Sequence, residues 1–465
     1  MSLRAPSGTR PRCRPAAERL SDSRQSAAAE SVDGVPVPVV HCVEPKALHL
    51  LQRLHSPSEG VAVGGTQMRA TRTRTSSMPA WATGAAAAIL GAVLAVPSAA
   101  VAEEAATTQA KEPAVISLGD SFISGEAGRW QGNGNTIRGS RYGTDLAAYA
   151  CNASETFCFY DPTRVYGSSY ANGCNRSTGA EIHHLNAVRV DGQTFEIAER
   201  NRINIACSGA TTDNVLHTPF KGERPQIEQL ADHAAAKDVK LIVVSIGGND
   251  IGFSDVIADC VKGFSLPRYA GWHCSKTLGP QMPARIEAMS GKVKAVLEAV
   301  RGTMGDAGYQ DSDYRLVLQT YPSPIPRGAD NRYPESSYAR LDTGGCPFYN
   351  DDSDWARDTL IPALAEAHEQ TAASVDGVEF LDLQEALDGH EVCAKGVQQS
   401  AGGNTLVNPL PEAESEWARF IVSGLSQGQL QESMHPNFYG QRQMGECLNT
   451  MSGTATPSFT CPGPE

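Results

Sequence analysis

The sequence predicts an α/β fold with a central parallel sheet, and two patterns support this. Short apolar runs rich in β-branched residues recur along the chain, bounded by polar, Gly or Pro residues, as expected of strands buried on both faces. Helical stretches alternate with these runs, which is the order of a parallel sheet covered by helices. Because open sheets of this kind bind ligands at the carboxyl ends of their strands, we expect the functional residues there.

The strands and helices can be placed from these patterns. Five runs are predicted as strands: Ala114–Leu118, Ile203–Ala206, Leu241–Ile246, Arg315–Thr320 and Val378–Leu381. Three segments are predicted as helices: Ala284–Arg301, Trp355–Ala373 and Asn437–Asn449. Ser121 follows the first strand, Gly209 the second and Asn249 the third. Since the carboxyl ends of parallel strands share one edge of a sheet, these three residues are predicted to be neighbours.

Two long segments, near residues 130–202 and 394–416, go beyond what such a sheet needs. Long ordered loops in compact domains are usually functional, so we expect both segments to wall the active site. The first segment carries aromatic side chains that could stack on sugars, line an acyl groove or form the core of the loop itself. They are Trp130, Tyr142, Tyr149, Phe157, Phe159, Tyr160, Tyr166 and Tyr170.

The first hundred residues resemble a leader more than a packed domain. An Ala-rich apolar stretch at 80–96 follows several arginines and precedes Ala100-Val101-Ala102, which has the small-x-small form of a signal-peptidase site. We interpret residues 68–102 as a secretory signal peptide and expect a secreted, extracellular protein. An uncleaved membrane anchor is the alternative, although a spanning helix needs about 20 apolar residues and this stretch has fewer.

The residues before this leader show no pattern of buried structure. Residues 1–67 are rich in Arg, Pro, Ser and Ala without helical or strand periodicity, so they offer no face to bury. We expect them to be disordered, or to be an extension that is not translated, with synthesis starting at Met68. Residues 103–465 are then predicted to form a single domain with loop insertions.

The charge of the chain restricts its partners. The formal net charge is −13 at pH 7, and the leader contains more basic than acidic residues, so the remaining chain is more acidic still. Such a surface argues against binding to nucleic acid and against electrostatic docking on anionic membranes. No apolar stretch after Ala102 is long enough to span a bilayer. We expect a monomer without stable membrane insertion once the signal peptide is removed.

The cysteines predict disulfides. Two of the twelve cysteines lie in residues 1–67, before the predicted signal peptide, which leaves an even number in the chain after residue 102, and an oxidising compartment favours pairing. A metal site is the alternative. However, the chain contains no Cys-x-x-Cys pair, and the doublet His183-His184 has no carboxylate or cysteine ligand at short spacing. We therefore predict disulfides and no bound metal ion.

Polar motifs far apart in the sequence contain the groups of a serine hydrolase. A serine hydroxyl needs a base to accept its proton, and the oxyanion needs fixed donors. Ser121 ends Gly119-Asp120-Ser121 directly after a strand, where it could be the nucleophile or a helix-capping residue. His435, before Pro436 at a predicted helix start, could be the base. Glu432 could orient its imidazole or be a solvated surface residue.

The donors for an oxyanion are also present. Asn249 ends the apolar run that contains Gly247-Gly248, so its amide would project from the tip of a strand. Gly209, in Cys207–Thr211, is placed to offer a backbone N–H. Either feature alone is compatible with ordinary turn chemistry.

Taken together, the motifs Gly119–Ser121, Ser208–Thr211, Gly247–Asp250 and His435–Asn437 occur in the order found in the SGNH, or GDSL, hydrolases. The chain resembles this family from about Ala114 to Leu448. The resemblance implies a three-layer α/β/α sandwich of the flavodoxin-like type, enlarged by disulfide-bonded loops. It also implies no cofactor, and it assigns the catalytic roles as follows: Ser121 as the nucleophile, His435 as the general base, and Gly209 and Asn249 as oxyanion-hole residues with the Ser121 N–H.

A narrower resemblance is to the secreted bacterial lipases and esterases of this family. They carry Cys-x-Arg-Ser before Cys-Ser-Gly-Ala-Thr, which this chain matches at Cys174–Ser177 and Cys207–Thr211. In those relatives these two cysteines are bridged, as are two that follow the third motif. The resemblance implies disulfides Cys174–Cys207 and Cys260–Cys274. From proximity alone we also expect Cys151–Cys158, Cys346–Cys393 and Cys447–Cys461.

The chain departs from the family pattern at Glu432. Most members have aspartate three residues before the histidine, and in some secreted relatives a backbone carbonyl holds the imidazole instead. The sequence therefore leaves two partners open for His435. We predict a secreted serine esterase or lipase that hydrolyses carboxylic esters, lipid acyl esters first, through an acyl-enzyme. The alternatives are a carbohydrate acetylesterase using the same site and a non-catalytic envelope-binding protein that kept the fold.

Overall fold

The structure is a computed structural model that describes residues 110–134, 143–152, 157–267, 270–422 and 430–464. The predicted signal peptide at residues 68–102, the extension at residues 1–67 and Tyr142 lie outside these ranges. Their interpretation therefore stays a prediction.

The strands of the described residues belong to one large sheet and two hairpins. In chain order they are β1 (Pro113–Gly119), β2 (Ala148–Cys151), β3 (Cys158–Tyr160), β4 (Ala187–Val190), β5 (Gln193–Glu196), β6 (Arg202–Asn204), β7 (Asp238–Ser245), β8 (Arg315–Gln319), β9 (Val378–Asp382) and β10 (Ser458–Thr460). The large sheet has six strands in the order β10-β9-β8-β7-β1-β6. All its neighbouring strands are parallel. The hairpins are β2–β3 and β4–β5.

The strand order places a crevice at the carboxyl ends of β1 and β7. From β1 the chain adds β6 on one side and then β7, β8, β9 and β10 in turn on the other side. The direction of winding reverses between β1 and β7, and such a reversal opens a crevice where ligands bind in flavodoxin-like sheets. Gly119, the last residue of β1, is paired with Ser245, the last residue of β7. The predicted α/β sandwich with a parallel sheet is confirmed.

Helices cover the sheet and complete its layers. The α-helices of the described residues are α1 (Ser121–Ser124), α2 (Thr163–Tyr166), α3 (Ser169–Asn172), α4 (Thr212–Leu216), α5 (Gln226–Ala236), α6 (Phe253–Ser265), α7 (Cys274–Thr277), α8 (Met282–Asp306), α9 (Asn350–Trp355), α10 (Ile361–Ala373) and α11 (Phe438–Ser452). Short 3₁₀ helices span Glu181–His184, Glu199–Asn201, Gly279–Gln281, Asp311–Asp313, Gly328–Asp330, Glu412–Glu414 and Leu430–Glu432, and π-helical turns span Arg340–Gly344 and Ala356–Leu360.

Alternate residues of the central strands bury opposite faces of the sheet. In β1, Ile116 and Leu118 join the core that contains residues of α5, α8 and α10, such as Leu230, Leu297 and Leu364. Val115 instead joins the second core, beneath α11, the 3₁₀ helix Glu181–His184 and hairpin β4–β5. Because both faces are covered, the strands are continuously apolar, which is why their positions could be predicted from sequence.

Some elements differ from their predicted form. The predicted helix Trp355–Ala373 is interrupted: Trp355 is the last residue of α9, a π-helical turn spans Ala356–Leu360, and α10 begins at Ile361. The edge strand β10 was not predicted, because three residues without an apolar pattern give no periodic signal. It is added to β9 near the disulfide of Cys461.

All five expected disulfides are formed. The pairs are Cys151–Cys158, Cys174–Cys207, Cys260–Cys274, Cys346–Cys393 and Cys447–Cys461. The two loop insertions also contact each other, since Asn133 Nδ2 donates to Glu416 Oε2 at 2.6 Å and the Ser400 N–H donates to the Asn133 carbonyl at 2.7 Å. Within the described ranges, no helix is long and apolar enough to cross a membrane.

Candidate active site

Ser121 lies at a sharp turn between β1 and α1. Gly119 ends the strand at a φ of +136°, and a side chain at this position would overlap the Ser245 carbonyl oxygen, so only glycine fits. Asp120 then caps α1, with its Oδ1 accepting a hydrogen bond from the Phe122 N–H at 3.1 Å. The turn therefore presents Ser121 at the carboxyl end of β1, beside the crevice.

His435 lies on the loop that enters α11. Met434 before it has a φ of +62°, a left-handed conformation that is strained for a residue with a side chain. Two backbone hydrogen bonds of 2.8 Å hold the strained turn: Met434 N–H donates to the Arg419 carbonyl, and Arg419 N–H donates to the His435 carbonyl. Asn437 then caps α11. These contacts fix the direction of the imidazole.

The imidazole joins Ser121 to a backbone carbonyl. Nε2 of His435 lies 2.6 Å from Oγ of Ser121, and Nδ1 lies 3.0 Å from the Ser433 carbonyl oxygen. Since a carbonyl only accepts, Nδ1 carries the proton and Nε2 can accept the proton of the serine hydroxyl. The His435 side chain keeps 16% of its surface exposed, so a substrate can approach. This pair has the geometry of an activated nucleophile.

Gly209 and Asn249 lie on the turns that follow β6 and β7. Asn249 Nδ2 donates to the Ala210 carbonyl at 2.9 Å, which joins the two turns and orients the amide. Gly209 has a φ of +83°, in the left-handed region that glycine tolerates. The two turns lie on the same edge of the sheet as Ser121. A backbone N–H and a side-chain amide placed in this way can bind an oxyanion.

Sequence comparison gives the family. The model of the GDSL-like Lipase/Acylhydrolase family matches residues 165–442, more than half of the chain. The chain belongs to the GDSL-like lipase/acylhydrolase family. The matched range contains Gly209, Asn249 and His435, and Ser121 lies upstream of it. As a member of this family, the protein is a carboxylic ester hydrolase. No curated protein matches its sequence.

Several solved structures of GDSL-type and related hydrolases are similar to this chain. A phospholipase A1 from Streptomyces albidoflavus is 20% identical, with a TM-score of 0.43, and the alignment covers 74% of this chain and 100% of that one. An extracellular lipase from Streptomyces rimosus gives 20% identity, a TM-score of 0.38 and the same coverage. A carbohydrate acetylesterase from Sinorhizobium meliloti gives 12% identity, a TM-score of 0.29 and coverage of 73% and 98%.

The surroundings of His435 keep its imidazole neutral. The ring packs against Phe122 with centroids 4.9 Å apart. Burial lowers the pKa of His435 to about 4, although the Ser433 carbonyl opposes this effect by stabilising the Nδ1 proton. The imidazole of His435 is therefore unprotonated at neutral pH, which is the state that a general base requires.

Glu432 is neither a surface residue nor the direct partner of His435. It is fully buried, and its Oε2 and Oε1 accept hydrogen bonds from Trp130 Nε1 and the Tyr166 hydroxyl, both at 2.9 Å. Arg129 Nη1 lies 3.7 Å from Oε1. Of the two partners that the sequence left open for the imidazole, the structure has the backbone carbonyl. The carboxylate instead connects the loop before His435 to the first insertion.

We expect Glu432→Gln to lower stability more than turnover. A catalytic triad carboxylate can contribute about 10⁴-fold in kcat, but a residue that only anchors the loop should cost less than about tenfold. Loss of the charge leaves Arg129 without this counter-charge and weakens one hydrogen bond, which should lower the free energy of unfolding by about 1–3 kcal/mol. Nitrophenyl ester kinetics and urea unfolding measure both effects.

Tyr166→Phe is the matched control for this variant. It removes one hydrogen bond to the Glu432 carboxylate and keeps the charge, so we expect a smaller loss of stability and wild-type-like turnover. A loss of about 10⁴-fold in kcat for Glu432→Gln, with folding intact, would contradict the supporting role.

Tyr321 connects the turns of Ser121 and Asn249, and sequence analysis did not identify it. Its hydroxyl donates to Asp120 Oδ2 at 2.6 Å and accepts from the Gly248 N–H at 3.1 Å. Burial raises the pKa of Asp120 to about 7, while this hydroxyl opposes the shift. The available signal was its position at the carboxyl end of β8, next to the strand that carries Asn249.

Glu126 is a second residue that sequence analysis did not identify. It follows α1, and its N–H donates to the Ser121 carbonyl at 3.2 Å. Its buried carboxylate accepts hydrogen bonds from the Ser208 hydroxyl and from Asn175 Nδ2 at 2.8 Å. Oε2 lies 3.9 Å from His435 Nε2. An acidic residue five positions after the serine was visible in the sequence, but its direction was not.

Apart from the half-buried Tyr170, the described aromatic residues of the first insertion divide into two groups. Trp130 and Tyr166 are buried and support Glu432, so for them the loop-core interpretation holds. The exposed group lies on or next to hairpin β2–β3, whose strands are joined by a disulfide. Its members are Tyr149, Phe157, Phe159 and Tyr160.

An apolar pocket lies beside the His435 loop. Met434, the residue before His435, forms part of its wall, and Phe253 at the start of α6 forms another part. The remaining lining comes mainly from α6, α9 and the turn after α9. The full lining is Phe253, Val256, Ile257, Cys260, Ser323, Pro324, Ile325, Phe348, Asp352, Trp355, Ala356, Leu360, Ile361 and Met434.

Proposed function

We propose that the protein is a secreted serine esterase or lipase whose substrate is a lipid acyl ester. The contact of 2.6 Å between Ser121 Oγ and His435 Nε2 carries the proposal. It supplies the nucleophile and base that ester hydrolysis requires, at the edge of the sheet where ligands bind.

The reaction proceeds through an acyl-enzyme. His435 accepts the proton of Ser121 as Oγ attacks the ester carbonyl. The N–H groups of Ser121 and Gly209 and the side-chain amide of Asn249 bind the oxyanion of the tetrahedral intermediate. The intermediate collapses, and the alcohol leaves with the proton from His435. Water then attacks the acyl-enzyme with the help of the same imidazole and releases the acid.

The apolar pocket supports an acyl substrate. The surface of this pocket is almost entirely apolar, and Met434, the residue before His435 in sequence, forms part of its lining. Burying each methylene of an acyl chain in such a pocket contributes about 0.8 kcal/mol. An acetyl group would gain little there, so the pocket favours a longer acyl chain over acetylated sugars.

Secretion is supported by the disulfides. All ten cysteines that follow the predicted leader are paired, and disulfides persist in oxidising compartments. Together with the predicted signal peptide, they favour an extracellular enzyme.

Two measurements on the purified protein test the proposed activity and substrate. A fluorophosphonate probe should label Ser121, and kcat/KM for nitrophenyl esters should rise with acyl length beyond acetate, with phosphatidylcholine also hydrolysed. Highest activity on nitrophenyl acetate and acetylated xylan would instead identify a carbohydrate acetylesterase. Absence of both labelling and hydrolysis would identify a binding protein.

A pocket variant makes the substrate test specific. Ala356→Leu adds bulk to the pocket lining, so it should lower kcat/KM for long acyl esters several-fold and leave nitrophenyl acetate nearly unchanged. Ala295→Leu, on the exposed side of α8, is the matched control and should change neither. Equal effects of Ala356→Leu on long and short esters would argue against this pocket as the acyl site.

A further inference from the structure

Glu126 is a buried charged residue that the reaction described above does not use. Its side chain is 1% exposed, and one oxygen, Oε2, serves two neighbours. It accepts a hydrogen bond from the Ser208 hydroxyl and lies 3.9 Å from His435 Nε2. Asn175 Nδ2 holds the other oxygen at 2.8 Å. The carboxylate thus lies between the imidazole and the turn that follows β6.

The reaction creates a positive charge next to this carboxylate. When His435 accepts the proton of Ser121, the imidazolium forms in surroundings that disfavour it, because burial lowers the pKa of this histidine. The Ser433 carbonyl supports the Nδ1 side. The negative charge of Glu432 also favours the imidazolium, although the oxygens of this carboxylate are held by Trp130 and Tyr166 and do not contact the ring nitrogens. Opposite charges about 4 Å apart in a largely buried site attract each other strongly, so Glu126 is placed to supply a second counter-charge, on the Nε2 side of the ring.

We propose that Glu126 is the positioning carboxylate of this site: in its ionised form it stabilises the His435 imidazolium from the Nε2 side and, through Ser208, holds the Gly209 donor. This inference rests on the proposed function. In the serine triads of other folds, the carboxylate binds the Nδ1 side of the histidine. Here a carbonyl occupies that side, and the charge acts from the opposite side without accepting the catalytic proton.

The groups around Glu126 place the ionisation of its carboxyl group near neutral pH. Burial raises its pKa to about 7, and the negative charge of Glu432 adds to this effect. The hydrogen bonds from Ser208 and Asn175 and the positive charge of Lys221 oppose it. Lys221 is close, since its Nζ donates to the Ser208 carbonyl at 2.7 Å. Because the ionised form is the active one, kcat should fall as the pH drops through this range.

Glu126→Gln separates the charge from the hydrogen bonds. The amide oxygen can still accept from Asn175, and the amide nitrogen can donate to the Ser208 hydroxyl. We expect kcat to fall about 10²-fold, in the range of general acid–base effects, with KM within about threefold of wild type. In the wild-type enzyme kcat should fall below about pH 7, which gives the pH profile of kcat an acidic limb. This limb should be absent from the profile of the variant. An unchanged kcat and an unchanged acidic limb would overturn the inference.

Two further variants keep the test decisive. Glu126→Asp retains a carboxylate farther from the imidazole, so it should recover part of kcat and keep the acidic limb. Glu432→Gln is the matched control, because it removes another buried glutamate charge near the same loop: it should keep the limb but move it to lower pH, since the charge of Glu432 raises the pKa of Glu126. If Glu126→Gln does not fold, two other results would overturn the inference. One is a kcat of Glu126→Asp no higher than that of Glu126→Ala, and the other is a wild-type pH profile of kcat without the acidic limb.

Failure of this inference is distinguishable from failure of the proposed function. If Ser121→Ala retains activity, the proposed site itself is wrong. If Ser121→Ala is inactive and the fluorophosphonate labels the wild type, a fully active Glu126→Gln contradicts only the role of Glu126.

Discussion

Ser121→Ala is expected to lower kcat for ester hydrolysis by about 10⁵- to 10⁶-fold, the scale seen when a catalytic serine is removed. Alanine removes Oγ, the atom 2.6 Å from His435 Nε2, and leaves the backbone of the turn in place. No acyl-enzyme can then form, and fluorophosphonate labelling should disappear. Single-turnover and steady-state kinetics with a nitrophenyl ester measure the loss.

The double variant with His435→Ala makes this prediction sharper. Since the serine and the histidine act as a unit, removing both should cost no more than removing either one. The loss of kcat in the double variant should therefore be smaller than the product of the losses in the two single variants. Multiplicative losses, or substantial activity in Ser121→Ala with an intact fold, would show that hydrolysis takes place elsewhere. Circular dichroism and thermal unfolding confirm that each variant remains folded.

Asn249→Ala is expected to lower kcat by about 10²- to 10³-fold with little change in KM, because one oxyanion-hole donor contributes this much. The amide is already oriented by its hydrogen bond to the Ala210 carbonyl at 2.9 Å, so it needs no reorganisation when the oxyanion forms. Labelling of Ser121 should persist, but at a slower rate. A change confined to KM would contradict a role in the transition state.

Asn214→Ala is the matched control for this variant. Asn214 lies at the start of α4, near Gly209, and its Oδ1 accepts hydrogen bonds from the N–H and hydroxyl of Thr211, both at 2.9 Å. Loss of this cap should lower the free energy of unfolding by about 0.5–2 kcal/mol. We expect kcat within about threefold of wild type. Substitution of Asn249 should therefore lower kcat, whereas substitution of Asn214 should lower the free energy of unfolding.

The features that could be predicted from sequence depend on local patterns. Continuous apolar runs identified the buried strands, and parallel strand order then placed Ser121, Gly209 and Asn249 along one edge. The glycine before Asp120 marks a turn with a positive φ that sequence context alone suggests. In each case the residue and its structural cause lie within a few positions of one another.

The features that sequence could not predict depend on side chains that meet across the fold. Glu432 stands three residues before His435, yet its carboxylate accepts a hydrogen bond from Nε1 of Trp130, 302 positions away in sequence. Sequence spacing gives a side chain's distance along the chain and not its direction. Glu126 and Tyr321 were missed for the same reason, because their contacts with His435 and Asp120 come from tertiary packing.

The proposed catalytic pair comes from sequence positions near opposite ends of the domain. Ser121 follows the first strand and His435 precedes the last helix, a separation of 314 positions. Contacts so distant in sequence form late, because a long chain segment must be ordered before they are made. A growing or truncated polypeptide that ends before His435 has the serine but no base. Hydrolysis at Ser121 therefore requires that the segment containing His435 has been synthesised and has packed against the start of the domain.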